Sequence, residues 1–143
     1  MKNSLLQALH RRRPAICARW EALLRLEKAP TALARPDTLV FHFDQTLSEV
    51  LSTEPEPEPE PAGLPAQPVC RCDCNPFRHY FAALEQALLE TLIWAQVEEP
   101  ELSPEERVAS VGELCQRLRR VAAREIRLLD GVCPNAAVNP LQA

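Results

Sequence analysis

Leu5, Leu9, Ile16, Trp20, Leu23 and Leu24 recur at three- and four-residue spacings over residues 4–27, with charged and amide residues between them. That period is helical: it lines apolar side chains along one face of an α-helix. Pro14 interrupts the stripe. It removes an amide donor, so it either kinks one helix or sits in the first turn of a second piece. A second helix is predicted over 35–51, opened by Pro36 and Asp37, with Leu39, Phe43, Leu47, Val50 and Leu51 facing inward. A third is predicted over 75–96. Asn75 is its N-cap, Pro76 its first turn, and Phe77, Phe81, Leu84, Leu88, Leu92 and Ala95 line one side with Tyr80 flanking them.

The fourth helix has the best-defined start. Ser103-Pro104-Glu105-Glu106 is a capping box with proline at the first helical position. Val111, Cys115, Leu118, Ala122, Ile126 and Leu129 carry its stripe, and Gly131 suits the left-handed position that ends a helix. No alternating apolar pattern reads as a strand, and only three glycines occur. Amphipathic helices hide their apolar faces against one another, so the expected fold is all-α, most simply an antiparallel four-helix bundle.

Between the second and third helices the chain reads Glu-Pro four times over 54–61, then Ala-Gly-Leu-Pro. Proline at every second position excludes helix and favours an extended, self-repelling segment. The chain therefore reads as a single all-helical domain, 1–143. Residues 54–69 are expected to be a disordered Pro/Glu-rich insertion and 132–143 a C-terminal tail. An insertion of this length permits a crossover, so the order of neighbouring helices stays open.

Composition fits this picture. The chain has 143 residues, 46% apolar and 25% charged, which suits one domain with a core. The net charge is −4, and the Glu-Pro segment alone holds four acids. Residues 1–53 carry eight basic and five acidic residues, and 62–143 carry eight and eleven, so the two parts are about +3 and −3. That balance argues against nucleic acid as a partner. No apolar run approaches the roughly 20 residues that span a bilayer, and no secretory leader is visible, so a cytoplasmic protein without a membrane partner is expected. Residues 1–20 hold Lys2, Arg11, Arg12, Arg13 and Arg19 with no acid. The apolar pattern continues through Trp20 into acidic residues, so this stretch reads as the first helix and not as a presequence.

The chemically loaded stretch is Cys70-Arg71-Cys72-Asp73-Cys74, just before Asn75. It places three thiols at the positive end of a helix dipole, where thiolate is favoured. Six cysteines without a leader point to a reducing compartment, so disulfides are not the default. In an antiparallel bundle the end of the fourth helix approaches the start of the third, bringing Cys133 toward the cluster. Cys70, Cys72, Cys74 and Cys133 would then offer four sulfurs at about 2.3 Å to a structural zinc ion, with His79 as an alternative ligand. The spacing also suits an iron–sulfur centre or reversible thiol exchange, and inert thiols remain a third reading. No cofactor other than such a metal is implied.

The remaining candidates read as structure. Cys17 and Cys115 fall on apolar helical faces as small core residues. His42, beside Phe41 and Phe43, is a flank residue. Trp20 and Trp94 are core or rim packing. The His10–Arg13 run and Arg117, Arg119, Arg120 and Arg124, interleaved with Glu113 and Glu125, look like solvated charged faces. No Ser-His-Asp order, glycine-rich phosphate loop or His-Glu-x-x-His motif is present, and Glu85 and Glu90 fall on different helical faces. A non-enzymatic role is expected, with no catalytic residue.

The stretch from Ile16 through Cys17, Ala18, Arg19 and Trp20 to Glu21, then Ala34-Arg35-Pro36-Asp37 and Asp44-Gln45-Thr46-Leu47, resembles the N-terminal helical domains of bacterial stressosome co-antagonists, the RsbR/RsbRD family. The resemblance covers residues 5–52. It implies a globin-like but haem-free helical domain acting as a signal-input and dimerisation module. On that basis the expectation is a bacterial helical sensor or interaction domain that forms a homodimer, with a protein partner or itself. The metal-binding and thiol-redox readings are the alternatives.

Overall fold

Pro14 divides the first predicted helix in two. In the computed structural model, which describes residues 1–29, 34–53 and 74–133, α1 spans Asn3–Arg11 and α2 spans Arg13–Leu26. The amide of Arg12 closes the last turn of α1 onto Ala8 and Leu9. The Arg12 carbonyl then accepts from the Ile16 amide at 2.9 Å and starts α2. Pro14 sits in that first turn, where its missing amide removes no helical bond.

The predicted helix over 35–51 is not uniform. It begins as α3 (Pro36–Leu39), tightens into a 3-10 turn over Val40–His42, and resumes as α4 (Phe43–Val50). The tighter turn changes the phase of the helix. Leu39, Phe43, Leu47, Val50 and Leu51 are all buried, as the period predicts, while Phe41 is left 84% exposed.

α5 spans Pro76–Val97 and α6 spans Pro104–Gly131. Both begin as their caps predict. Asn75 accepts from the Phe77 amide at 3.0 Å. Ser103 and Glu106 exchange side-chain and backbone bonds as a capping box. Gly131 departs from expectation: it is the last helical residue, without a left-handed backbone, and Val132 ends α6 in a right-handed conformation.

Among the described residues the chain is all-helical, and α5 is the central element. It packs against α1, α2 and α6, and α4 packs against α6. Asn75 at the start of α5 bonds Asp130 at the end of α6, and Gln96 at the end of α5 bonds Arg107 at the start of α6. The two helices therefore run antiparallel.

An aromatic cluster occupies the core. The Trp20 ring stacks on Phe43 at 3.8 Å between centroids and meets Tyr80 at 4.5 Å. Tyr80 was expected at the flank of the α5 stripe, yet it is fully buried, because Trp20 of α2 and Phe43 and Thr46 of α4 close against it. Each fully buried large apolar side chain of this cluster contributes about 1.5–3 kcal/mol. Among the described residues no helix is long and apolar enough to cross a membrane. The Glu-Pro insertion and most of the C-terminal tail lie outside the described residues.

Candidate functional site

Three places carry features beyond packing. The first is the end of the molecule where α5 starts and α6 finishes. The Asn75 side chain donates to the Ile126 carbonyl at 2.9 Å and to Asp130 at 2.7 Å, while its oxygen caps α5. Arg78 donates to the other Asp130 oxygen at 2.9 Å. Asp130 is thus a buried carboxylate held by one charged and one neutral donor. Cys74 precedes Asn75 and is exposed; Cys133 follows Asp130 by three residues and is half-buried. His79, one turn into α5, turns its Nδ1 toward Glu27 at 3.5 Å, and its buried Nε2 has no hydrogen-bond partner among the described residues. Cys70 and Cys72 lie outside the described residues. Among those described, no three His, Cys, Asp or Glu side chains form a group able to hold a metal ion.

The second place is a cavity of about 50 Å³ between α4, α5 and α6. Thr46 and Tyr80 line it, and their hydroxyls are 2.8 Å apart. Phe77, Phe81 and Val121 supply apolar walls, and His42, Gln45, Glu49 and Glu125 supply polar ones. His42 meets Phe77 edge-on. Glu49 on α4 and Glu125 on α6 are both bonded by the Arg124 guanidinium. Burial pushes the Tyr80 phenol far above its ordinary range, against the smaller opposing effect of the Thr46 hydrogen bond. Tyr80 therefore acts here as a neutral hydroxyl.

The third is the outer face of the α5–α6 hairpin near its turn. Ile93, Trp94 and Val97 on α5 and Val108 on α6 are 55%, 67%, 62% and 73% exposed. Gln96 and Arg107, the neighbours of Val97 and Val108, clamp this end. Gln96 donates to the Arg107 carbonyl at 3.0 Å and to Ser110 at 2.8 Å. Arg107 returns bonds to the carbonyls of Gln96, Glu99 and Leu102. Carbonyls left open at the end of α5 are satisfied by this guanidinium in place of a glycine cap.

The charged runs largely serve cross-helix pairing. Arg12 bonds Glu98 and Arg13 bonds Asp44, so two residues of the basic run fasten the α1–α2 joint to distant elements. Arg19 pairs with Glu90 through two bonds, and Arg119 lies 3.8 Å from Glu85. Burial raises the thiols of Cys17 and Cys115 above their ordinary range, which suits partly buried packing residues and not nucleophiles. Trp94, expected in the core or at its rim, stands mostly in solvent. The α5 stripe held the signal for that: on a helical wheel Trp94 falls about 120° from the face of Phe81, Leu84, Leu88 and Leu92. The cavity was not foreseen either: Thr46, Gln45 and Glu49 sit among the polar positions of a short helix, and no local pattern marks them.

Compared with known protein families, with characterised proteins and with solved structures, the chain gives no match.

Proposed function

We propose that this chain is a non-enzymatic helical sensor or interaction module, of the haem-free globin-like kind implied by its N-terminal resemblance, and that it self-associates through the outer face of α5 and α6. The observation that carries the reading is the run of exposed apolar side chains Ile93, Trp94, Val97 and Val108 at one end of the hairpin. Exposed apolar patches with a tryptophan at their centre mark protein interfaces. A second copy suits this face for an electrostatic reason. Of the acids flanking it in sequence, Glu90, Glu98 and Glu106 are paired within the chain with Arg19, Arg12 and Lys2. Pairing of these three acids lowers the like-charge repulsion that two copies related by a two-fold axis would meet there. A cytoplasmic bacterial setting accompanies this reading.

Sedimentation equilibrium tests it. A dimer is expected at tens of micromolar protein, weakened about tenfold or more by Trp94→Glu. A monomer at high micromolar concentration would remove the reading.

A second reading rests on the Asn75–Asp130 bond, which draws together the ends that carry Cys74 and Cys133. It assigns a zinc or iron–sulfur centre, or a reversible thiol switch, to Cys70, Cys72, Cys74 and Cys133. One zinc per chain by elemental analysis, lost on Cys72→Ser, would favour the zinc form, and a visible absorption band the iron–sulfur form. The redox form requires a thiol that alkylates well below the ordinary thiol pKa.

A further inference from the structure

We propose that carboxylates without a cation, at the turn between α5 and α6, hold self-association through the neighbouring apolar face in check, so that the dimer tightens as ionic strength rises. The proposal rests on the self-association reading and names what regulates that face.

Residues 98–106 carry five glutamates: Glu98, Glu99, Glu101, Glu105 and Glu106. Cations from α1 and its flanks reach two of them, Arg12 on Glu98 and Lys2 on Glu106. Glu99 accepts from the neutral Ser4 hydroxyl at 2.9 Å and keeps its charge. Glu101 and Glu105 are exposed, and neither has an ion pair or hydrogen bond among the described residues. The next cation in sequence, Arg107, is spent on backbone: its guanidinium donates to the carbonyls of Gln96, Glu99 and Leu102. Three carboxylates of the turn are therefore left without a cation. Glu105 precedes the exposed Val108 by three residues in α6, so the two are neighbours on one helix surface.

A two-fold contact repeats the same surface on both copies, so these charges meet their own kind. Each like pair costs little in water, and all of them act together. At about 0.01 M salt the screening length is about 30 Å and the repulsion acts in full; at about 0.1 M it is about 10 Å and much of the repulsion is gone. The sign of the dependence is diagnostic. An interface held by complementary charges weakens with salt, whereas an apolar contact opposed by like charges strengthens. Glu105 supplies a second, separable signature. It lies in the first turn of α6, where a negative charge suits the helix dipole. Removing that charge lowers the stability of the monomer yet tightens the dimer. A residue with a purely structural role would lower both.

The test is sedimentation equilibrium of the whole chain in sodium chloride from about 0.01 to 0.3 M. Kd is expected to fall about fivefold over that range. Glu105→Gln and Glu101→Gln should each tighten the dimer about twofold at the lowest salt, and together they should remove most of the salt dependence. Glu105→Gln should also lower the thermal midpoint of the dilute, monomeric chain. A Kd that stays constant or rises with salt would overturn the proposal and leave self-association standing, as would glutamine variants that bind no tighter than the unmutated chain at low salt. The absence of a dimer at every salt concentration would overturn the proposal together with the reading it rests on. Should Glu105→Gln fail to fold, Glu101→Gln decides, since it lies outside both helices.

Discussion

The indole N–H of Trp20 donates a hydrogen bond of 2.8 Å to the backbone carbonyl of Tyr80, joining α2 to α5 inside the core. The same indole stacks on Phe43, so one side chain fixes three helices against one another. Trp20→Phe would keep an aromatic ring but lose this bond and leave a void. The expected cost is about 2 kcal/mol, and Trp20→Ala should cost about 3–5 kcal/mol. Urea denaturation followed by circular dichroism measures both. An unchanged midpoint for Trp20→Phe would mean that the indole is not seated between α2 and α5.

Asn75 does two jobs with one amide. Its oxygen caps α5 and its nitrogen bridges to Ile126 and Asp130 on α6. Asn75→Ala should therefore cost more than the roughly 1 kcal/mol of a lost cap, about 2 kcal/mol in all. Asn75→Ser retains a capping hydroxyl but cannot reach Asp130, so it should recover about half. Equal losses for the two variants would show that the bridge contributes nothing.

The helical stripes were legible because burial on a helix repeats every 3.6 residues, and Leu9, Leu47, Leu84 and Leu118 obey that period. The caps at Asn75 and Ser103 were legible because capping is a local bond within three residues. Interactions that join distant segments left no such trace. Arg107 reaches carbonyls up to eleven residues back, and Arg13 reaches Asp44 across thirty-one, yet in sequence both are ordinary charged positions. The 3-10 turn at Val40–His42 was missed because its residues also fit an α-helical pattern. Gly131 was misread because a glycine near a helix end is permitted, not obliged, to be left-handed. Of the thiol candidates, Cys74 and Cys133 sit at the same end of the α5–α6 pair, while Cys70 and Cys72 fall outside the described residues.

Ser103→Ala removes the hydroxyl that accepts from the Glu106 amide at the start of α6. The expected loss is about 1 kcal/mol, because the first turn then holds an unpaired donor. Amide hydrogen exchange should show faster exchange confined to residues 104–107. Faster exchange spread evenly along α6 would indicate that the cap does not control that terminus.

Glu90 gives a signature at acid pH. Hydrogen bonds from Arg19, and next from Gln86, hold its carboxyl down at about 2. A carboxylate lowered in the folded state stabilises it above the ordinary carboxylate range, and the contribution disappears as pH falls toward the lowered value. The pair stands in solvent, so screening keeps its effect on stability small. The titration midpoint is the better readout. Arg19→Met should move the Glu90 carboxyl resonance midpoint up toward the ordinary 4.5. A midpoint that stays put would mean that the two side chains are not paired in solution.

Tyr80 predicts the opposite limb of the pH profile. It is the single tyrosine in the chain, so its ionisation can be read without interference. Burial first, opposed by the Thr46 hydrogen bond, raises its phenol above the ordinary value of 10.0. The folded state therefore holds this proton where the unfolded chain releases it. The contribution to stability is complete below pH 10 and is lost as pH rises through the raised value. At about pH 11 the native protein should show almost no tyrosinate absorbance at 295 nm, although a free phenol would be mostly ionised. The band should appear only together with loss of the helical circular dichroism signal. Tyr80→Phe should lower stability by about 1 kcal/mol at neutral pH, through the lost bond to Thr46, and should flatten the alkaline decline. Tyrosinate forming near pH 10 while the helices stay intact would place the phenol in solvent, and would contradict both the aromatic core and the hydroxyl pair that lines the cavity.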